Sequence, residues 1–432
     1  MDNQTEEAMI VPVASADFPS SSGQLFGDYF AAKRGTFRKN DLIDARARRL
    51  FETTAFACEH NAYPFQIPLE GRSGPWVRAD GHTLLMLSSY DYLGLIGDRR
   101  VDEAAADAIA KYGTGTGGVR LLTGSTDLHH QMEREVAAFK GTEAAITFSS
   151  GYLANIAVIA SLFGPSDRVI ADSLSHRSLM DACRMAGVQV QRFQHNEAAS
   201  LRQELESGAP ANRTLIVSDG VFSMDGDICR LPELIELKKE FGAFLLVDES
   251  HASGMLGAHG RGTDEHYGSD TADVDIWTGS LAKAIPSNGG FVAVTQEMAI
   301  YLQHAAAPFI FSAALCPAAV AAVRACLSIL ADEPERVCRL RRNAEMLRNG
   351  LQSLGYDTGL SETGVIPVML RDEIETGLLA RKLRDYRILA TPVLFPAVAQ
   401  GAPRLRLCVT AAHSPADLEY ALDIFAKLAK GA

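Results

Sequence analysis

A single lysine, Lys283, sits in the run Trp277-Thr-Gly-Ser-Leu-Ala-Lys-Ala-Ile-Pro-Ser-Asn-Gly-Gly290, and no acid lies within three positions of it to neutralise its charge. Where such a segment is buried, desolvation disfavours the ammonium form and lowers the amine's pKa. A lysine that exists partly as the neutral amine can form a Schiff base with an aldehyde. Taken alone the run also fits a surface Gly/Ser loop. A second stretch upstream bears on the choice: Phe244-Leu-Leu-Val-Asp-Glu-Ser-His251 reads as a fully apolar, buried strand with Asp248 at its carboxyl end. Ligands of open α/β sheets bind beyond that end, so Asp248 faces a ligand there and His251 follows three residues later.

A buried acid, a nearby histidine and a lysine after a later strand are what pyridoxal 5'-phosphate needs. The acid keeps the pyridine nitrogen protonated, the histidine hydrogen-bonds the ring hydroxyl, and the lysine carries the aldehyde. The run Ser149-Ser150-Gly151-Tyr152 follows another strand at a helix start, where free amides and the helix dipole form an anion site. Read by itself it is equally a serine N-cap with a glycine turn. With a phosphorylated cofactor it becomes the phosphate cradle, to which Ser280 and Thr278 add hydroxyls. His176, after the strand at 168–171, could stack on the cofactor ring opposite Asp248 or be a satisfied structural histidine. Ser223, in Asp219-Gly-Val-Phe-Ser-Met-Asp-Gly226, could contact the ring oxygen or serve the turn.

The elements that would position these residues alternate. Helices are predicted at 101–112, 129–139, 152–163, 177–186, 197–207 and 232–241. Strands are predicted at 144–148, 168–171, 187–193, 213–218 and 243–247, and near 274–278 and 290–295. That rhythm implies an α/β fold with a mostly parallel seven-stranded sheet covered on both faces. Residues 1–85 read as an N-terminal extension and arm, with flexible residues 1–22 and a helical segment between Leu25 and Asn61 that Asn40 or Asp41 could cap. A hairpin is expected around Arg78-Ala-Asp-Gly81. Residues 86–316 form the large domain, and 317–432, helical to 354 and ending in an amphipathic helix at 415–430, a smaller α/β C-terminal domain. The glycine-rich run Gly113–Gly118 fits neither a dinucleotide fingerprint nor a P-loop; it is either a flexible turn or, as the family resemblance given below implies, part of the lining of the site.

At 432 residues the chain is long enough for this two-domain plan, and 47% hydrophobic with 22% charged residues is ordinary for a soluble enzyme. A formal charge of −12 argues against nucleic acid. Seven scattered cysteines suggest reduced thiols, not disulfides or a metal site, and no run reaches the length of a membrane span. With an acidic N-terminus unlike a signal peptide, the expected location is cytoplasmic.

Together these segments resemble the α-oxoamine synthases, fold-type I pyridoxal-phosphate enzymes that include 8-amino-7-oxononanoate synthase, 2-amino-3-ketobutyrate CoA ligase, 5-aminolevulinate synthase and serine palmitoyltransferase. The similarity is collinear from about Leu84 to Lys427. It rests on Ser149-Ser-Gly-Tyr-Leu-Ala-Asn155, His176, Val221-Phe-Ser-Met-Asp-Gly-Asp227, Asp248-Glu-Ser-His251, Ser280-Leu-Ala-Lys283, Phe311-Ser312 and Arg404-Leu-Arg-Leu-Cys-Val-Thr-Ala-Ala-His413. The resemblance implies that Ser150, Gly151, Tyr152, His176, Ser223, Asp248, His251, Thr278, Ser280 and Lys283 hold pyridoxal phosphate. It implies further that Ser312 reaches the phosphate of a neighbouring subunit in a homodimer, and that Arg406 holds the substrate carboxylate.

One departure concerns Tyr90, which stands where many members carry an asparagine that helps position the amino-acid carboxylate; Tyr90 and Asp91 are therefore candidate substrate contacts. Here Ser89-Tyr-Asp-Tyr-Leu-Gly94 looks more like the Ser-Tyr-Asn-Tyr-Leu-Gly of serine palmitoyltransferases, and an acid at 91 would repel a carboxylate unless protonated or turned away. The implied reaction is a decarboxylative condensation of serine, alanine or glycine with an acyl thioester, on CoA or an acyl carrier protein, to give an α-amino ketone. Lys283 would abstract the α-proton and His176 polarise the thioester carbonyl. An aminotransferase or aldolase of the same fold type shares Lys283 and Asp248 and remains the alternative.

Overall fold

The computed structural model describes residues 48–59, 63–207 and 211–430. Of the helical segment expected between Leu25 and Asn61, the helix Arg48–Glu59 falls among them, and the expectations for residues 1–47 lie outside. A hairpin, β1 (Trp76–Ala79) and β2 (His82–Met86), turns at Asp80-Gly81. Then come β3 (Ala144–Phe148), β4 (Arg168–Asp172), β5 (Gln189–Phe193), β6 (Thr214–Asp219), β7 (Phe244–Asp248), β8 (Ile276–Ala282) and β9 (Pro286–Val294).

These last seven form one sheet in the order β3-β9-β8-β7-β6-β4-β5. Six strands run one way, and β9 alone runs antiparallel to both its neighbours. Alternate residues of each strand point to opposite faces, and here both faces are apolar. Leu245, Val247, Ile216 and Trp277 enter one core with the helices Asp127–Lys140 and Leu231–Phe241. Leu246, Leu215, Val217 and Ile276 enter the other with Gly151–Leu162 and Arg177–Ala186. The carboxyl ends of β3, β4, β6, β7 and β8 therefore converge on one edge, which carries the candidate residues.

The smaller antiparallel sheet has the order β10-β13-β12, from β10 (Val365–Met369), β12 (Thr391–Val393) and β13 (Arg404–Cys408). The short β11 (Ile388–Leu389) instead pairs with β2 and joins the hairpin to this region. On β13 the two-residue period sends Leu405 and Leu407 into the small core and leaves Arg404 and Arg406 to face the large domain. At the expected division, 316/317, the helix Pro317–Asp332 buries Val320, Val323, Leu327 and Leu330 in the large core, and Val337 and Leu340 of the next helix, Glu335–Ser353, join the same cluster.

A buried charge cluster holds the segment after β7 in place. Lys140 Nζ lies 2.6 Å from Asp264 Oδ1, 3.4 Å from Glu249 Oε2 and 3.6 Å from the centre of the Trp277 ring, with the lysine and Glu249 side chains fully buried. Glu249 also accepts from Thr263 N at 3.1 Å. Lys140→Met would leave two carboxylates buried without their cation, a loss of about 3–5 kcal/mol. Urea unfolding of the purified variant checks this; a loss below about 1 kcal/mol would show that water or local rearrangement compensates the acids.

Candidate active site

Asp248 ends β7 beside Asp219 of β6 and Thr278 of β8, its register partners. Its carboxylate is buried and held from two sides: Asn155 Nδ2 donates to Oδ2 at 2.7 Å and Ser250 N donates to Oδ1 at 2.8 Å. Asn155 is a polar residue on the otherwise apolar face of the helix Gly151–Leu162, and its amide is fully used. It accepts from Thr278 Oγ1 at 2.7 Å and donates to Ser178 Oγ at 2.8 Å. Thr278 was expected at the phosphate. Its hydroxyl is instead completely buried in this network, where it orients Asn155.

The chain of hydrogen bonds continues from Ser178 Oγ to His176 Nδ1 at 2.7 Å, and Ser178 N also approaches Nδ1 at 3.3 Å. Nδ1 therefore accepts, which assigns the proton of the neutral imidazole to Nε2. Burial pushes the His176 pKa down, and Lys283 adds to that against the pull of Asp248. The backbone N of His176 donates to Asp219 Oδ2 at 2.9 Å. Burial, then the neighbouring Asp248, pushes the Asp219 carboxyl well above the ordinary carboxylate range.

Lys283 follows β8 directly, at the turn into β9. Burial brings its amine down to about 8, although Asp248 and Asp219 pull the other way. These acids come from other strands, which explains why the lysine has no acid near it in sequence. His251 is buried, and its Nδ1 lies 2.8 Å from the hydroxyl of the fully buried Tyr92. Burial first, then Lys283 and Arg406, hold its pKa well below the usual imidazole value.

Beside the lysine the helix starting at Gly151 presents its N-terminus. Ser150 Oγ caps it by accepting from Leu153 N at 3.2 Å, which engages one amide of the first turn. The approach requires glycine at Gly290, where a Cβ would lie 2.4 Å from Gly151 N, and is tight at Gly151, where one would lie 3.3 Å from Gly279 O and Ser280. Ser280 Oγ accepts from Ala282 N at 3.2 Å, and Tyr152 donates its hydroxyl to Asp181 at 2.6 Å, on the helix that begins after His176.

Arg406 reaches this edge from β13. Its Nη1 donates to Ser223 O at 3.1 Å, its Nη2 bonds the Tyr90 hydroxyl, and the guanidinium lies 4.6 Å from the centre of the Tyr90 ring. The Tyr90 ring meets His251 edge-on at 5.8 Å. Asp91 corrects an expectation. Its Oδ1 and Oδ2 accept from Leu95 N (2.8 Å) and Ile96 N (3.0 Å), so the acid is buried and turned into its own loop, not toward a substrate. Ser223 presents its backbone carbonyl to Arg406.

Ser312 stands apart from this cluster. It follows the short helix Ala307–Ile310 and lines a small cavity with Phe148 and Ser149. The same turn is tied to the glycine-rich run by Ala314 N donating to Gly118 O at 3.0 Å. Asn155, Ser178, Tyr92 and Asp219 were not singled out from the sequence. A lone asparagine in Gly151-Tyr-Leu-Ala-Asn-Ile-Ala-Val-Ile159 was the available signal for the first.

The model of the family described as aminotransferase class I and II matches residues 82–425. An 8-amino-7-oxononanoate synthase of Exiguobacterium sibiricum is 42% identical over 359 residues, which is 83% of this chain and 92% of that protein. A serine palmitoyltransferase of Bacteriovorax stolpii is 37% identical over 407 residues, covering 94% and 96%. Among solved structures, a serine palmitoyltransferase from S. paucimobilis with bound pyridoxal phosphate and myriocin superposes with a TM-score of 0.87 at 31% identity, over 91% of this chain and 99% of that one.

Proposed function

We propose that this chain, which belongs to the class I and II aminotransferase family and within it to the α-oxoamine synthases, is a pyridoxal-phosphate-dependent C-acyltransferase. It condenses a small amino acid with an acyl thioester, releasing CO₂ and the thiol and leaving an α-amino ketone. The observation that carries this reading is Lys283, whose amine is brought down to about 8 within electrostatic reach of the buried, doubly hydrogen-bonded Asp248. The donor set fits the cofactor: a buried anion for its pyridine nitrogen, two histidines, His176 and His251, whose pKa values burial holds down, and a glycine-lined helix start for its phosphate. Bound there, pyridoxal phosphate supplies an aldehyde and an electron sink.

Each residue then has a task. Asp248, fixed by Asn155, holds a positive charge at the pyridine nitrogen. The amides at Gly151 and Tyr152, with Ser150 and Ser280, receive the phosphate. Arg406 takes the amino-acid carboxylate in its fork, and Tyr90 fixes the direction of that fork from beneath. Lys283, partly neutral near pH 8, accepts the α-proton. His176, protonated at Nε2, would pack against the cofactor ring and has a proton to offer the thioester carbonyl, while His251, oriented by Tyr92, would serve the ring oxygen. The tyrosine at 90 supports a serine-palmitoyltransferase-like amino-acid site, with serine, alanine or glycine as substrate. A panel of these three with short and long acyl-CoAs tests the reading by thiol release. Thiol release that ignores the amino acid, or keto-acid formation without thiol, would overturn it in favour of a thioesterase or an aminotransferase.

The same reading makes the active unit a cytoplasmic homodimer; no described helix is long and apolar enough to cross a membrane. Phe311 and Leu122 are 80% and 77% exposed on segments joined at Gly118 and Ala314, an apolar surface that a second copy would cover, bringing Ser312 to the partner's phosphate. Mixing Ser312→Asp with Lys283→Ala subunits then restores activity toward half of normal per mixed dimer, since one site carries both lesions and the other neither. Mixed dimers that form yet stay inactive would place Ser312 in its own chain's site or outside any site.

A further inference from the structure

The loop from Val221 to Ile228 closes through a bridge between its ends and through Gly226 N donating to Phe222 O at 2.8 Å. Its tip faces the small domain. Ser223 O accepts from Arg406 Nη1, Met224 O from Arg404 Nη1 at 3.2 Å, and Gly226 O from Thr363 Oγ1 at 2.9 Å. At Gly226, φ is 73° and a Cβ would lie 1.9 Å from Val365 O, so the contact admits no side chain. The foot of the loop is Asp227, and it is gripped from the other side. His195 Nε2 lies 2.8 Å from Asp227 Oδ2, and His195 Nδ1 lies 2.9 Å from Asp172 Oδ1 at the end of β4. Asn196 adds Nδ2 to Asp227 Oδ2 at 2.7 Å and its backbone N to Asp172 Oδ2 at 2.9 Å. The Phe222 ring packs edge-on to the imidazole at 4.4 Å.

Both ring nitrogens of His195 face carboxylate oxygens, so both donate and the ring is an imidazolium. Burial alone would lower its pKa, and the two aspartates outweigh that and carry it to about 10. Without the cation, two buried carboxylates would face each other across the gap, which is costly. No step of the reaction described above uses this residue.

We propose that His195 is a positioning residue for amino-acid binding: clamped between Asp172 and Asp227, it fixes the Val221–Ile228 loop and, through the Ser223 carbonyl, the direction of the Arg406 guanidinium. This rests on the reading of Arg406 as the carboxylate-binding group.

The test uses the cofactor-loaded enzyme, with amino-acid affinity measured by calorimetry and steady-state kinetics run beside it. His195→Gln weakens the amino acid about tenfold in both Kd and KM, while kcat and the KM for the acyl thioester stay within about twofold. Adding His195→Gln to Arg406→Ala costs almost nothing further, because residues acting through one another are not additive. His195→Gln with Asp227→Asn, which removes the uncompensated buried charge and pairs neutral amides, recovers most of the affinity. This double variant decides the matter should the single one fail to fold. A parent that binds the amino acid while His195→Gln binds it equally well would overturn the proposal alone. So would a full additive loss on the Arg406→Ala background, a kcat that falls with both KM values, or a double variant no better than the single. A parent that binds no amino acid at all would overturn the reading of the site, and the proposal with it.

Discussion

Lys283→Ala is expected to lower turnover by at least about a thousandfold, roughly 4 kcal/mol of barrier, with the fold intact. The side chain lies past the end of β8, outside both core clusters, so its removal costs packing little. It supplies two things at once: the amine that carries the cofactor's aldehyde and the base that takes the α-proton. The variant therefore also loses the visible absorption of a lysine-bound cofactor and the borohydride-reducible link. In the parent, the base form grows as pH rises through about 8, so the proton-abstraction limb of the rate should rise with pH and level above that value. A variant that keeps a reducible link, or turns over within about tenfold of the parent, would show that another amine does the work.

Asp248→Asn is the second large effect. The two oxygens of Asp248 accept from different donors, Asn155 Nδ2 and Ser250 N. An asparagine offers one oxygen, so one donor loses its partner and the site loses its anion. The pyridine nitrogen is then free to lose its proton, and the electron sink weakens. The expected result is retained cofactor with α-proton abstraction slowed about a hundredfold or more, roughly 2.7 kcal/mol, read as exchange of the amino acid's α-hydrogen with D₂O. A rate within about tenfold of the parent would remove Asp248 from this role.

What the sequence disclosed and what it withheld divide along a physical line. Phe244-Leu-Leu-Val-Asp248 is legible because an unbroken apolar run ending in an acid has few solutions other than a buried strand with its acid at the edge. Lys283 and the helix start at Gly151 follow from the same local rhythm. Contacts between elements are not written in that rhythm. Thr278 looks like a spare hydroxyl beside Ser280, yet the pleat turns it under the sheet edge to Asn155. Asp91 looks like a charge aimed at the substrate, yet the turn after it offers two backbone amides closer at hand. Lys140 has the pattern of a helix-end lysine, and only the packing shows it buried between Glu249 and Asp264. The helix Pro317–Asp332 is apolar on more than one face, which says that it is covered but not by which domain.

In the proposed reaction the amino acid is decarboxylated as the thioester is consumed. Incubating the enzyme with carboxyl-¹³C-labelled serine, alanine or glycine and an accepted acyl-CoA, and counting labelled CO₂ against free thiol, tests it directly. One labelled CO₂ per thiol, with neither released when either substrate is left out, is the predicted result. Thiol release with the label retained in the organic product, or conversion of the amino acid to its keto acid with no thiol released, would contradict it.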